Sequence, residues 1–382
     1  MGSLRWVVLL AVPMLALGCT QDGPLEKSTT RPTKLQHSSL PSVATALSVP
    51  RAVHRATVLK DGRVLFTGGC TQPGCEGFDR ALSSEIFDPK ERRFIQGPAM
   101  TTPRAGHSAT LLDDGRVLLV GGYPGEGRQA LSSAEVFDPA INEMASVGEL
   151  SAGRADHTAT VLPGGDVLIA GGTTGSGVAL RTTEIFSPRR NQFRAGPLLL
   201  APRAGHAAVL TKGRLVLIGG TTDFVAALAT TETLQGGVWT AGARLQVGRL
   251  KHAAVVLPDQ TVLVIGGATE AEGRERLSST EILDIDMGSS QRGPKLSEGQ
   301  YKLDGAVTSL PDGRVVIAGG QRLDVFDPES GEITTLDTPP VPQRSFITAS
   351  VVSARTVLVA GGYDSAITPT AHARVIDIPS AR

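Results

Sequence analysis

Seven cationic side chains recur at one position of a repeated pattern, and their chemistry is to pair with anions. They are Arg51, Arg104, Arg154, Arg203, Arg249, Lys302 and Arg344. A parallel column of acidic residues consists of Glu85, Glu135, Glu184, Glu232, Glu281 and Asp324. Guanidinium groups form bidentate hydrogen bonds with carboxylates, so salt bridges between strands could use up the cations. The repetition also predicts that the cations form a ring on one face of the fold.

Five histidines share another repeat position, three residues after a cation. They are His54, His107, His157, His206 and His252. A catalytic histidine is normally unique within its fold, so a repeated one indicates packing or hydrogen bonding. Acid–base catalysis needs a non-repeated acid beside a non-repeated base. Loops carry the only candidate acids, which are Glu76, Asp79, Asp223, Glu270, Glu272 and Asp364. Loop carboxylates are more often solvated than catalytic, and we predict no catalytic residue, no metal site and no cofactor.

Pairs of glycines define the repeat that must position these side chains. The second glycines of the pairs are Gly69, Gly122, Gly172, Gly220, Gly267, Gly320 and Gly362. Each pair ends an apolar strand, such as RVLLVGG before Gly122, which is typical of a strand covered on both faces. A strand of small residues precedes it, a tight turn such as Asp114-Gly115 joins the two, and a third and a more polar fourth strand follow. This pattern, without a helical period, predicts an all-β propeller with seven blades of four antiparallel strands.

The two ends of the repeat region predict how the ring closes. After the third strand of the seventh repeat, near 373–378, only four residues remain, which are too few for a fourth strand. The segment Val43 to Val49 ends in Pro50-Arg51, just as the first repeat ends in Pro103-Arg104. The N-terminal strand should therefore complete the last blade, which removes an open sheet edge. The propeller is predicted to span 43–380.

The Gly-Gly pairs, the downstream Glu and Asp-Pro, and the Pro-Arg-x-x-His entries together resemble the kelch repeat of the galactose oxidase-like propellers. In some kelch adaptor domains, arginines at this place contact acidic peptides. The resemblance therefore implies that the seven cations bind an anionic ligand. Irregular loops at 72–80 and 268–276 lie on the same predicted face, and such loops on a rigid scaffold often carry recognition.

The same resemblance implies two enzymatic alternatives. Galactose oxidase-like enzymes hold copper with two histidines and two tyrosines, one of them cross-linked to cysteine. This chain has only Tyr123, Tyr301 and Tyr363, and Cys70 and Cys75 share one loop, so copper radical chemistry is not expected. Exported kelch propellers also include sugar epimerases, which use carboxylates and arginines near the channel mouth. An epimerase or mutarotase-like enzyme is the alternative function.

The N-terminal residues predict export and a membrane anchor. Residues 1–18 contain one arginine and a short apolar run, which is typical of a secretory signal peptide rather than a membrane span. The sequence Ala16-Leu17-Gly18-Cys19 resembles the lipobox of bacterial lipoproteins, which implies lipid attachment at Cys19. Ordinary cleavage near Gly18, giving a free protein, is the alternative. Residues 19–42 are polar and rich in Ser, Thr and Pro, so we expect a disordered tether.

Charge and cysteine content narrow the partners further. Lys plus Arg and Asp plus Glu both number 37, so the chain has no basic surplus for nucleic acid. In an exported chain, Cys70 and Cys75 should form a local disulfide. We therefore predict a cell-envelope lipoprotein whose propeller is a non-catalytic binding platform for a protein, peptide or glycan, with the membrane contacted through the lipidated N-terminus.

Overall fold

The computed structural model describes residues 42–75, 81–125, 129–175, 177–336 and 344–380. These residues form seven four-stranded antiparallel sheets, which confirms the predicted seven-bladed propeller. The only helical element among them is a short 3-10 turn at Pro73–Cys75. No helix in the described ranges is long and apolar enough to cross a membrane.

The strands follow the repeat in chain order, beginning with one that belongs to the last blade. This strand is β1 (Ser42–Ala46). Blade 1 contains β2 (Arg55–Val58), β3 (Val64–Thr67), β4 (Ser84–Asp88) and β5 (Arg93–Gln96). Blade 2 contains β6 (Ser108–Leu111), β7 (Val117–Val120), β8 (Ser133–Asp138) and β9 (Glu143–Glu149). Blade 3 contains β10 (Thr158–Val161), β11 (Val167–Ala170), β12 (Thr183–Ser187) and β13 (Gln192–Ala195). Blade 4 contains β14 (Ala207–Thr211), β15 (Arg214–Ile218), β16 (Thr231–Gln235) and β17 (Val238–Ala241).

The remaining three blades continue this order. Blade 5 contains β18 (Ala253–Val256), β19 (Val262–Ile265), β20 (Thr280–Asp284) and β21 (Ser289–Arg292). Blade 6 contains β22 (Val307–Ser309), β23 (Val315–Ile317), β24 (Asp324–Asp327) and β25 (Glu332–Thr335). Blade 7 contains β26 (Thr348–Ser353), β27 (Thr356–Ala360) and β28 (His372–Asp377), and β1 pairs with β28 as its fourth strand. The predicted closure of the ring by the N-terminal strand is confirmed.

Burial follows the composition of each strand. The second strands, such as β7 and β19, are buried at every position because a neighbouring blade covers each of their faces. The first strands are rich in small residues, and β2, β6, β10, β14, β18, β22 and β26 contact one another around the central channel. The fourth strands, such as β9, are the most exposed. The wall of the channel is therefore made of first strands, and the hydrophobic core lies between the blades.

The Gly-Gly pairs are required where one blade meets the next. A Cβ atom on Gly121 would lie 2.2 Å from the carbonyl oxygen of Arg154 in blade 3, and Gly121 has a φ of +63°. Only glycine tolerates both the contact and the dihedral angle. The pair Gly319–Gly320 in blade 6 differs, because neither residue has a positive φ and the loop that follows is short. Blade 6 therefore departs from the repeat on the face where each first strand begins, which we call the loop face.

Candidate binding site at the channel mouth

Five of the seven repeated cations lie inside the blades. Arg104 is typical: its side chain and that of Glu135 are both 0% exposed, and its Nη2 donates to Glu135 Oε1 at 2.5 Å. Its Nη1 donates to the carbonyl oxygens of Gly121 and Ser133. The same arrangement holds Arg51, Arg154, Arg203 and Arg249 against Glu85, Glu184, Glu232 and Glu281.

Each glutamate of these pairs also fixes the chain segment that enters its blade. Glu135 accepts hydrogen bonds from the backbone N–H groups of Thr101 and Thr102, and Glu85 accepts them from Ser48 and Val49. Each arginine–glutamate pair therefore connects three strands of one blade with the chain segment that arrives from the preceding blade. Breaking such a buried pair leaves an uncompensated charge, which typically costs about 3–5 kcal/mol. These five arginines are therefore paired with glutamates inside the blades, and they do not form a ring of cations accessible to a ligand.

The cation column changes in blades 6 and 7. The position equivalent to Arg249 is occupied by Gln300. Its backbone carbonyl accepts a hydrogen bond from Gly267 N, and its side-chain Nε2 donates one to the carboxylate of Asp324. Lys302 lies two residues further along and therefore does not belong to the column. Arg344 is in register and buried, and its Nη1 contacts the carbonyl oxygens of Gly361 and His372. Burial and the positive charge of Arg374 lower the pKa of Arg344.

The five repeated histidines join neighbouring blades. Nε2 of His157 in blade 3 lies 2.9 Å from the hydroxyl of Ser108 in blade 2, and His54, His107 and His206 make similar contacts with threonine hydroxyls. All five are buried. Burial lowers their pKa, and the neighbouring arginines lower it further, so the imidazoles are neutral at pH 7. Their role is packing and hydrogen bonding between blades.

A second column, two residues after the arginines, forms the mouth of the central channel. We call it the mouth ring. Its members are Val53, Gly106, Asp156, Gly205, Lys251, Lys302 and Phe346, and all seven have a φ between +49° and +64°. In blades 2 to 5 the N–H of each member donates to the carbonyl of the member in the preceding blade, as from Gly205 to Asp156 and from Lys251 to Gly205. In blade 6 the N–H of Leu303 donates to the carbonyl of Lys251 instead. The left-handed φ is therefore repeated in all seven blades, whereas the side chains are not.

The side chains of the mouth ring collect positive charge on one side of the channel. Lys251 Nζ lies 3.8 Å from Asp156 Oδ2, and these side chains are 21% and 26% exposed. Lys302 Nζ lies 4.7 Å from the ring centre of Phe346 and 5.3 Å from that of Tyr301. In the part of the chain that the structure describes, no carboxylate lies within salt-bridge distance of Lys302. Lys302 is thus a cation that faces the channel without a direct counter-ion.

Electrostatics distinguish the two lysines. The Asp156 carboxylate raises the pKa of Lys251, whereas burial lowers the pKa of Lys302 to about 8, with Lys251 and Arg276 acting in the same direction. The non-glycine members of the ring have the left-handed backbone that side chains rarely adopt. Backbone strain of this kind is often found at functional sites. The site therefore combines a fixed backbone with an uncompensated charge.

The cavity below the mouth contains a second ion pair. The cavity has a volume of about 340 Å³ and is lined by residues such as Asp156, Lys251 and Lys302 together with small residues of the first strands. Arg55 of blade 1 contacts Asp304 of blade 6 at 2.5 Å. These two residues follow the mouth-ring members Val53 and Lys302 by two positions and also line the cavity. A ligand at the mouth would meet cations at the rim and an ion pair beneath.

Tyr301 supports Lys302 from the side of blade 5. Its hydroxyl donates to the carbonyl oxygen of Ala271 at 2.9 Å, and its ring packs against Gly273. A Cβ on Gly273 would lie 2.6 Å from that ring, which explains the glycine in this loop. The predicted recognition loop at 268–276 is therefore the element that positions one wall of the site.

The other predicted loop features have structural partners. Cys70 and Cys75 form a disulfide in the blade 1 loop. Asp223, Glu270 and Asp364 accept backbone N–H groups within their own turns. Glu76 and Asp79 lie outside the described residues, as do the predicted signal peptide, Cys19 and most of the tether.

The structure resembles galactose oxidase-like propellers. A fungal alcohol oxidase of the AA5 family, solved in complex with copper, has a TM-score of 0.70 and 16% sequence identity over 89% of this chain and 76% of that chain. The structure of YjhT has a TM-score of 0.60 and 14% identity over 78% of this chain and 100% of that chain. No family profile and no curated protein matches the sequence. These likenesses confirm the kelch-type propeller fold alone.

The residues of this chain do not fit the copper site that the resemblance implies. Cys70 is bonded to Cys75, so it cannot be cross-linked to a tyrosine. The hydroxyl of Tyr301 is bonded to a backbone carbonyl, and four of the repeated histidines contact hydroxyl groups between blades. Across the described ranges, no three His, Cys, Asp or Glu side chains are grouped to hold a metal.

The charge pattern of the repeat places Lys302 in the arginine column, but Lys302 lies in the mouth ring with Asp156, Lys251 and Phe346, which that pattern does not indicate. A signal for these three residues is present in the sequence, because the residue type two positions after Arg51 and its equivalents varies from blade to blade. Since φ at this position is left-handed in every blade, variation of its side chains marks the site that differs from the scaffold.

Proposed function

We propose that this protein is a non-catalytic binding platform whose loop face holds an acidic ligand at the channel mouth. The observation that carries this proposal is Lys302, a half-buried cation for which the described residues provide no direct counter-ion, beside Lys251 at the rim of the central cavity. A carboxylate entering the mouth would supply that counter-ion. Hydrogen bonds to charged groups are stronger than neutral ones, which favours an acidic peptide, protein segment or glycan.

Reversing both charges tests this assignment. In the double variant Lys251→Glu/Lys302→Glu we expect binding of a glutamate-rich peptide and of an oligogalacturonide to weaken roughly tenfold to a hundredfold, because the loss of charged hydrogen bonds costs about 1.5–3 kcal/mol. Affinity is measured by titration calorimetry at fixed salt. Lys295→Glu, at an exposed lysine, is the matched control and should change neither affinity. Equal affinity of the double variant and the control would contradict the site.

We also propose that the platform is exported and attached to the membrane through Cys19. This proposal is supported by the apolar run in residues 1–18 and the lipobox-like Ala16-Leu17-Gly18-Cys19. The Cys70–Cys75 disulfide fits an oxidising compartment. Several acyl chains on one cysteine anchor a protein stably without a spanning helix.

The anchor has a simple test. In Cys19→Ala we expect the protein to leave the membrane fraction and to lose incorporation of labelled palmitate, whereas Cys75→Ala should remain in the membrane fraction. Both variants are compared by fractionation of cells that express the full chain. Membrane attachment of Cys19→Ala equal to that of the unchanged protein would rule out this anchor.

A further inference from the structure

Lys302 is held rigidly in a way that suits a nucleophilic amine. Its backbone is fixed at a φ of +61°, and its Nζ lies over the rings of Phe346 and Tyr301. Tyr301 is itself fixed by its hydrogen bond to Ala271. The amine therefore lies at a defined point in an apolar part of the mouth, and it faces an open cavity.

We propose that Lys302 forms a reversible imine with the carbonyl carbon of a small 2-oxo acid whose carboxylate is bound by Lys251. The inference rests on the proposed function, because the same mouth must bind an anion. Lysines desolvated beside another cation are the known means by which proteins activate this side chain. Lys302 meets both conditions, since it packs against two rings and lies close to Lys251 and Arg276.

The chemistry of the step balances without an oxidant or a reductant. The neutral Nζ adds its electron pair to the carbonyl carbon, the oxygen takes up one proton from solvent and the nitrogen releases one, which gives a carbinolamine. The hydroxyl group then takes up a second proton, the C–O bond breaks and water leaves, the nitrogen lone pair forms the C=N bond, and the nitrogen releases its second proton to solvent. One amine and one carbonyl compound thus give one imine and one water, and hydrolysis returns both.

The position of the two lysines selects the class of carbonyl compound. Lys251 Nζ lies 5.7 Å and Lys302 Nζ 4.7 Å from the same ring centre, that of Phe346. The distance between the two Nζ atoms therefore cannot exceed the sum of their distances to this ring centre. In a 2-oxo acid the carboxylate is bonded directly to the carbonyl carbon, so an anchor on Lys251 brings that carbon towards Lys302. A neutral aldehyde lacks this anchor.

The charged and titratable groups around Lys302 set the pH at which it reacts. They are Lys251, Arg276, Asp156 and Tyr301. The two cations and burial favour the neutral amine, Asp156 and the ring faces favour the ammonium ion, and the balance lowers the pKa to about 8. We therefore expect imine formation to rise with pH and to level off above about 8.

The test uses pyruvate and sodium cyanoborohydride, which reduces an imine to a stable carboxyethyl-lysine. The full chain is treated while folded and then digested, and mass spectrometry of the peptides should show Lys302 modified on the order of tenfold to a hundredfold faster than the exposed Lys295, because a lower pKa leaves more neutral amine. Lys302→Arg keeps the charge and should abolish this rapid modification. Lys251→Met should slow it more for pyruvate than for acetaldehyde, because the change removes the carboxylate anchor as well as a charge that favours the neutral amine.

Three outcomes decide whether Lys302 forms the imine, independently of the proposed function. Modification of Lys302 no faster than that of Lys295 overturns the imine, even if the charge-reversed double variant loses affinity for acidic probes. Rapid modification in wild-type protein that persists at another lysine in Lys302→Arg also overturns it. Loss of rapid modification in Lys302→Arg, with the slow modification of Lys295 unchanged, supports it.

Discussion

Lowering the pH from 7.5 to 5 is expected to remove on the order of 10 kcal/mol of stability from the propeller, an effect comparable with the whole stability of many domains. The cause is the set of five buried histidines between the blades, which are His54, His107, His157, His206 and His252. Each is held neutral in the fold and becomes free to bind a proton when the chain unfolds.

Burial is the main reason why these imidazoles resist protonation. Burial lowers the pKa of His157 well below 6.5, and the charge of Arg154 adds to the effect. The pKa of His252 falls to about 3. Nδ1 of His54, His107 and His206 has no hydrogen-bond partner among the described residues, so protonation of these rings would also bury an unpaired donor.

The direction of the effect follows from proton binding. Below pH 6.5 the unfolded chain binds more protons than the folded one, so stability falls as pH falls. The stabilisation is fully present above the unfolded pKa of 6.5 and is lost progressively as the pH drops towards the folded values. At pH 5 each histidine accounts for about 2 kcal/mol, since one pKa unit corresponds to about 1.4 kcal/mol. This window lies above the ordinary pKa values of carboxylates.

Urea unfolding at pH 7.5, 6 and 5 measures this dependence. The sharpest variant is His252→Leu, because burial and the charge of Arg249 lower the pKa of His252 to about 3 and Leu303 occupies the equivalent position in blade 6. We expect it to recover about 2 kcal/mol at pH 5 without loss at pH 7.5. His372→Gln, at an exposed histidine, is the control. A urea midpoint that is the same at pH 7.5 and 5 would show that the histidines are not the cause.

The repeat predicted the fold because its most constant residues have backbone roles. Glycine pairs at Gly121 and Gly122 are needed where a neighbouring carbonyl approaches, and the apolar second strands can be buried only between two sheets. These requirements are local and recur in each blade, so they are visible in one sequence. Closure by β1 was predictable for the same reason, because a blade that lacks its fourth strand leaves an edge that must be paired.

The site was less predictable because it depends on which charges are already paired. Arg104 and Lys302 are both cations near the start of a first strand, yet only Arg104 meets a glutamate inside its blade. In blade 6 a glutamine, Gln300, occupies the arginine position, and Lys302, two residues later, is a member of the mouth ring. Pairing of Lys251 with Asp156 joins blade 5 to blade 3, and no spacing within one repeat indicates it.

Removing β1 is expected to cost on the order of 10 kcal/mol and to lower the melting temperature by roughly 10–20 °C. A chain that begins at Pro50 loses the whole antiparallel pairing from Ser42↔Ile376 to Ala46↔His372. It also loses Leu47, which is buried in a cluster with Phe66, and the burial of a leucine side chain alone is worth about 2–5 kcal/mol.

The truncation also acts on the first buried ion pair. Glu85 accepts the N–H groups of Ser48 and Val49 in addition to the guanidinium of Arg51, and the shortened chain retains only Arg51. The carboxylate would then be buried with fewer donors, which typically costs about 1–3 kcal/mol for each lost partner. The truncation therefore weakens blade 1, through Ser48 and Val49, as well as blade 7, through β1.

Thermal unfolding of three altered chains distinguishes the contribution of β1 to closure of the ring from any contribution of the residues before Thr33. A chain beginning at Thr33 keeps β1 and should melt like the full chain, whereas the chain beginning at Pro50 should melt at lower temperature and aggregate through the exposed edge of β28. Leu47→Ala in the full chain should fall between them, because it removes the side chain but keeps the strand pairing. If the chain beginning at Pro50 melts with the full chain, the ring is held closed by the contacts between β2 and β26 and β1 is dispensable.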